Sequence, residues 1–249
     1  MFLPKEHGSW SLALEPLALG LLVVPSWAGT ALALAALTGF FARRPLKSSL
    51  RCDSIDRREK ATPVLGLLMI LGSVALLEAV CLGRVAALWP LLLAAPLGGL
   101  FVYFDLQNDS RATAAEIVGS STFAIIPAAL ATLAGWPAPA ALALAVVALA
   151  RNLPTVLTVR AYVRNSKGPQ RHVTLPLAAS AVACVTLIAL RATNLIPTTA
   201  LVGTTVLLAR SAWLLSSLRP HWPARRVGQL EAGLGLLYVG GIAVAYHLS

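Results

Sequence analysis

Two thirds of the charged residues of this chain lie in alternate gaps between long apolar blocks, and that arrangement leaves few folds open to it. The blocks run over 10–25, 27–42, 63–82, 84–104, 114–135, 137–155, 173–191, 194–218 and 228–247. A helix needs about 20 apolar residues to cross the hydrocarbon core of a bilayer. Nine blocks therefore predict an all-α bundle of about nine transmembrane helices, one integral membrane domain over 1–249. Charged residues make up 12% of the chain, half of the roughly one quarter usual in soluble domains, which agrees with lipid as the solvent.

Four gaps are short and carry chain breakers: Pro25-Ser26, Gly83-Arg84, Gly135-Trp136-Pro137 and Thr193-Asn194. They read as tight hairpins. The other gaps, 43–62, 105–113, 156–172 and 219–227, are longer and polar, and each follows an even-numbered helix. Helix parity puts all four on the side of the N-terminus. Eighteen of the 20 Lys and Arg residues lie on or near that side; Arg84 and Arg191 are the exceptions. Cations collect on the cytoplasmic side of membrane proteins. The expectation is a bacterial inner-membrane protein with its N-terminus in the cytoplasm and its C-terminus outside. The start of the chain has no signal-peptide pattern, so the first helix is expected to remain in place. A net charge of +10 then implies anionic membrane lipid as a partner, not nucleic acid.

The acids need a separate account, because Asp and Glu contribute little to orientation. Eight of the ten share the cationic face: Glu6, Asp53, Asp56, Glu59, Asp105, Asp109, Glu116 and Glu231. Mixed charge over an apolar bundle suggests a polar, water-filled cavity open to the cytoplasm. Glu15, followed by Pro16, stands inside the first apolar block. A charge at such depth costs a few kcal/mol unless it is paired or neutral. Glu15, Glu116 and Asp105 are the candidate acids or bases. Glu116 and Glu231 also suit the positive end of a helix dipole.

Arg151 and Asn152 stand near the end of the sixth block and Arg160 and Arg164 follow it, and a continuous helix is expected to line the arginines up on one face. Such a ladder could grip a phosphate or carboxylate through forked hydrogen bonds. Snorkelling anchors are the alternative. Arg43 and Arg44, in ArgArgProLeuLys, admit the same two readings. Asp105 and Asp109 are four apart and could share a helix face as a magnesium pair, or Asn108-Asp109-Ser110 could be a turn and helix cap. Asp53, Asp56 and Glu59 form a patch or pair locally. His7 is the histidine of interest, placed for proton transfer or for an interfacial cap beside Trp10. Cys52, Cys81 and Cys184 have no metal-binding or disulfide spacing. No motif names a metal or other cofactor.

ProLysGluHisGlySerTrp at 4–10 with Glu15-Pro16 resembles the signature of the YwiC-like family of bacterial membrane proteins. The resemblance extends through ArgArgProLeu at 43–46, ArgArg at 57–58, the stretch from Arg111 through Glu116 to Gly119, ArgAsnLeuPro and ValArgAlaTyr within 151–162, and GlyGlnLeuGlu at 228–231. That family has no settled activity, so the resemblance implies a class and not a reaction. A more distant similarity is to UbiA-type intramembrane prenyltransferases, which implies nine helices and a ligand site on the cytoplasmic side. Their magnesium-binding acid motifs follow helices two and six. Here those places hold ArgArgProLeuLys and Arg160, Arg164, Lys167 and Arg171. An anionic headgroup gripped directly by arginine, without metal, is the form of the site this departure implies.

Three functions remain open at this level, of which the first is favoured. One is an enzyme or binder for an isoprenoid or other anionic amphiphile, a UbiA-like transferase included, with Glu231 and His7 beside the arginines. The second is a small-molecule or proton-coupled transporter centred on Glu15, against which the scarcity of charge on the outer face argues. The third is a non-catalytic partner in a membrane complex.

Overall fold

A computed structural model describes residues 7–51, 55–107, 109, 112–166 and 173–248, without the side chains of 7–9. The side chain of His7 and all of Glu6, Asp53, Arg111, Lys167, Arg171 and His172 therefore lie outside the described residues. Among the described residues the protein is all helical: α1 (His7–Val23), α2 (Trp27–Arg51), α3 (Ile55–Leu82), α4 (Leu91–Leu106), α5 (Thr113–Leu133), α6 (Ala138–Asn165), α7 (Thr174–Ala192), α8 (Thr198–Leu215) and α9 (Ala224–Leu248). With no water in the hydrocarbon core, the backbone must satisfy its own polar groups, and a helix does so within one segment. Six helices, α3 and α5 to α9, are long and apolar enough to cross a bilayer. The chain is an integral membrane protein. The apolar stretches of α1 and α4 are shorter, and α2 is apolar only to Ala42, its last turns carrying Arg43, Arg44, Lys47 and Arg51.

Nine helices were expected and nine are present among the described residues, but several bounds move. The 43–62 gap is mostly helix, since α2 runs to Arg51 and α3 begins at Ile55. α6 passes through Pro154 to Asn165, ten residues beyond the expected end of the block. In the fourth block a 3-10 turn at Val85–Leu88 comes first and the helix begins at Leu91, where Pro90 supplies the helix-ready φ of a first turn. α8 begins only at Thr198, after Asn194 takes a left-handed φ of 57°.

α1 and α5 form the partition of the bundle. Leu17 of α1 and Ile126 and Leu130 of α5 pack with α2 in one apolar core, while Leu19 of α1 and Ala124 and Ala128 of α5 pack with α6 to α9 in another. α3 packs along α2 and presents its remaining face, including Leu67, Ile70, Val74 and Leu77, outward as lipid would require. Small residues allow close approach: a Cβ on Gly119 would meet the Phe101 ring, and one on Gly203 would meet the Tyr238 ring.

Contacts bear out the alternation of helix direction. The C-terminal ends of α2 and α4 meet through Lys47 and Asp105, and the start of α5 meets the end of α6 through Glu116 and Arg160. Tyr162 near the end of α6 donates to the Pro220 carbonyl at 2.5 Å and accepts from the Trp222 amide at 2.9 Å. This is the charged end of the bundle. The far end gathers Trp136 against Tyr246 and His247 against the Leu22 carbonyl.

Candidate functional site

Midway along α6, four ionisable side chains from four helices converge in the interior. Glu15 comes from α1, Arg151 from α6, Arg210 from α8 and Glu231 from α9, and each is 7% exposed or less. Arg210 Nη2 lies 3.0 Å from Glu231 Oε2. Arg151 spans both acids, with Nη1 3.5 Å from Glu231 Oε2 and Nε 3.4 Å from Glu15 Oε2. Arg151 Nη2 also donates to the Glu231 backbone carbonyl at 2.7 Å, and Arg151 and Arg210 both donate to Thr155 Oγ1. Ser11, one turn before Glu15, donates to its carboxylate. Two formal positive and two formal negative charges cancel, which is the condition for keeping them out of water.

The local sequence makes this convergence possible. Glu15 projects toward α9 where that helix carries Gly235, and a Cβ there would fall on the Glu15 carboxylate. Tyr238, one turn further, donates to the Val147 carbonyl at 3.1 Å and shares a hydrogen bond with Thr204 at 3.1 Å, so α6, α8 and α9 are tied together beside the cluster. Asn152 donates to the Leu12 and Ser120 carbonyls at 3.3 and 3.4 Å and joins α6 to α1 and α5.

Charge is balanced in the cluster but hydrogen bonding is not. Glu15 Oε2, Arg151 Nε, Arg210 Nε and Nη1 and Glu231 Oε1 are buried without a hydrogen-bond partner among the described residues. Buried polar atoms are rarely left so. A crevice of about 10 Å³ lies against Glu15, Arg151, Asn152 and Tyr238, room for about one water. The expected water-filled cavity is thus replaced at this depth by a closed cluster, because acids and arginines on facing helices pair across the space.

The arginine ladder does not form. At 100° per residue, nine residues turn a helix by two and a half revolutions, so Arg151 and Arg160 point to opposite sides of α6. Arg151 enters the cluster, Arg160 Nη1 lies 2.8 Å from Glu116 Oε2, and Arg164 is exposed. Arg160–Glu116 is half-exposed, so Glu116→Gln is expected to lower stability by only about 0.2–1 kcal/mol; thermal unfolding in detergent measures this, and a much larger loss would place Glu116 in a buried network instead.

The remaining candidates are spread over the charged end. The Arg43 guanidinium is sandwiched between the Phe40 and Phe101 rings, 4.5 and 4.3 Å from their centroids, and its Nε donates to the Phe40 carbonyl. Arg44 is half-buried. Asp105 faces Lys47 at 3.3 Å while Asp109 is exposed in the turn that follows, its carbonyl accepting from the Ala112 amide, so the two acids do not share a face. Asp56 pairs with Lys60, one turn on.

Arg210 had been counted only toward the charge asymmetry. A signal was present: it interrupts ValLeuLeuAla and SerAlaTrpLeuLeu, the same intramembrane placement that singled out Glu15. The far end has a crevice of about 340 Å³ lined by Arg191, Asn194, Leu195, Ile196, Pro197, Thr198 and Tyr246.

A family model described as YwiC-like protein matches residues 3–130, which include Glu15, Asp105 and Glu116; Arg151, Arg210 and Glu231 lie beyond the matched segment. No curated protein matches the chain.

Proposed function

Given that this chain belongs to the YwiC-like protein family, we propose that it is a proton-coupled membrane carrier for an anionic solute, with the Glu15–Arg151–Glu231–Arg210 cluster as its working centre. The observation that carries this reading is the cluster itself, neutral in charge and buried, yet with Arg210 Nε and Nη1 and Glu231 Oε1 left without a hydrogen-bond partner among the described residues. Intramembrane ionisable groups are expensive and mark ion and proton pathways in transporters. Arginine keeps its proton, so the carboxylates are the groups that can exchange one. An incoming anion would take over the donors that Arg210 leaves unused, and a carboxylate displaced from its arginine would accept a proton. In this scheme the paired cluster with its narrow crevice is one station of a cycle in which helices part to admit the solute. The charged end faces the cytoplasm, following the distribution of cations.

The test uses proteoliposomes holding a pH-sensitive dye and a panel of small carboxylates and phosphate monoesters added outside. The wild type should acidify the lumen with at least one anion, and Glu15→Gln should abolish that signal while the protein stays folded. Unaltered proton movement in Glu15→Gln would refute the scheme.

A second reading is that the protein binds an anionic amphiphile, isoprenoid or phospholipid-like, at the charged end and carries out no transport. It is favoured by Arg43, Arg44 and Arg160, which lie at the charged end of an apolar bundle. Mass spectrometry of copurified lipids separates the two: a stoichiometric amphiphile lost in Arg160→Ala, together with silent proteoliposomes, would select this reading.

A further inference from the structure

At the far end the turn between α7 and α8 folds Arg191 back on itself. Its Nε donates to Thr198 Oγ1 at 3.0 Å and its Nη1 to Asn194 Oδ1 at 2.6 Å. Asn194 reaches this position through its left-handed backbone, a conformation asparagine adopts more readily than most residues. The two bonds fix the plane of the guanidinium and leave Nη2 without a protein acceptor among the described residues. The ion pairs found among the described residues do not include Arg191. An arginine that merely anchors a helix end extends its head into the water. Arg191 instead turns back at the surface, its two bonds exposed, along a crevice of about 340 Å³ lined also by Leu195, Ile196, Pro197 and Tyr246.

The level of this crevice is set by the Trp136–Tyr246 ring pair, 5.5 Å between centroids. Such aromatics sit at the headgroup layer. Below it, Val185 and Ile188 of α7 are more than half exposed and offer an apolar surface to an acyl chain. An oriented, uncompensated guanidinium at headgroup depth suits an oxyanion with two free oxygens, for which arginine provides a planar fork.

We infer that the Arg191 crevice binds a phosphate-bearing anion at the membrane surface, with a phospholipid headgroup as the favoured source and free phosphate as the other. This site is separate from the buried cluster and does not depend on the transport scheme.

The test is native mass spectrometry of the purified full chain with added phosphatidylglycerol, beside a titration with inorganic phosphate followed by thermal unfolding. Arg84→Ala removes the other cation of that face, which is exposed, and serves as control. Arg191→Ala should lower occupancy of one lipid adduct about tenfold, the scale of a lost charge-assisted contact, while Arg84→Ala leaves it unchanged. If the adduct is unaffected but stabilisation by inorganic phosphate disappears in Arg191→Ala, the occupant is free phosphate. Should Arg191→Ala fail to fold, Arg191→Lys keeps the charge without the fork, and a several-fold drop in whichever probe the wild type binds is expected. If Arg191→Ala, or Arg191→Lys in its place, matches Arg84→Ala with both probes, the inference is overturned.

Discussion

Arg151→Ala is expected to destabilise the protein by about 3–5 kcal/mol, the usual result of removing one partner from a buried ion pair. Among the described residues Arg151 alone forms ion pairs with both acids of the cluster, and without it Glu15 loses its arginine contact. A domain's whole margin is about 5–15 kcal/mol, so the folded yield should fall sharply. The companion variant is Arg151→Met with Glu15→Gln, which removes one charge of each sign and leaves Glu231 with Arg210. It should recover much of the loss, because the penalty comes from an uncompensated charge and not from the missing volume. Melting temperatures of the three proteins in one detergent decide the matter. A single Arg151→Ala variant that melts with the wild type would mean the cluster is not the electrostatic centre described above.

Gly235→Ala should produce the second large effect. The added methyl would overlap the Glu15 carboxylate, forcing either the acid out of the cluster or α9 away from α1. Overpacking of this kind costs about 1–3 kcal/mol, and displacing a paired charge adds to it. Gly240 on the same helix has nothing near its Cβ position; there alanine should be neutral or stabilising, by up to about 1 kcal/mol. Combining Gly235→Ala with Glu15→Ala makes room for the methyl, so the pair should be less destabilising than the sum of its parts, with a coupling of about 0.5–3 kcal/mol. Strict additivity in that double-mutant cycle would show that the two positions do not meet.

Which residues could be recognised in advance follows from these two sites. Glu15 was legible because a carboxylate in an apolar block is expensive wherever the chain goes. Arg210 carries the same local signature, yet among so many cations near the charged end it was absorbed into the topological count. Glu231, a candidate beside the arginines, also has an adequate local explanation in the helix dipole; that its partners are Arg151 and Arg210 depends on how α6, α8 and α9 face one another. The expectation that Arg160 shares the face of Arg151 fails on the helical period alone, since nine residues place the two on opposite sides of α6. Gly235 was one glycine among several in α9 until Glu15 was seen opposite it.

Apolar block length and the placement of breakers determined the number of helices, their alternating direction and the gathering of charge at one end, because each depends only on local transfer energies between water and lipid. The pairing of Glu15 and Glu231 with Arg151 and Arg210, the closing of the expected cavity and the crevice behind Arg191 were decided by tertiary structure alone. Those features depend on the rotation of each helix about its own axis, and in a bundle where α1, α6, α8 and α9 are apolar on nearly every side, that rotation is set by side chains on neighbouring helices fitting one another.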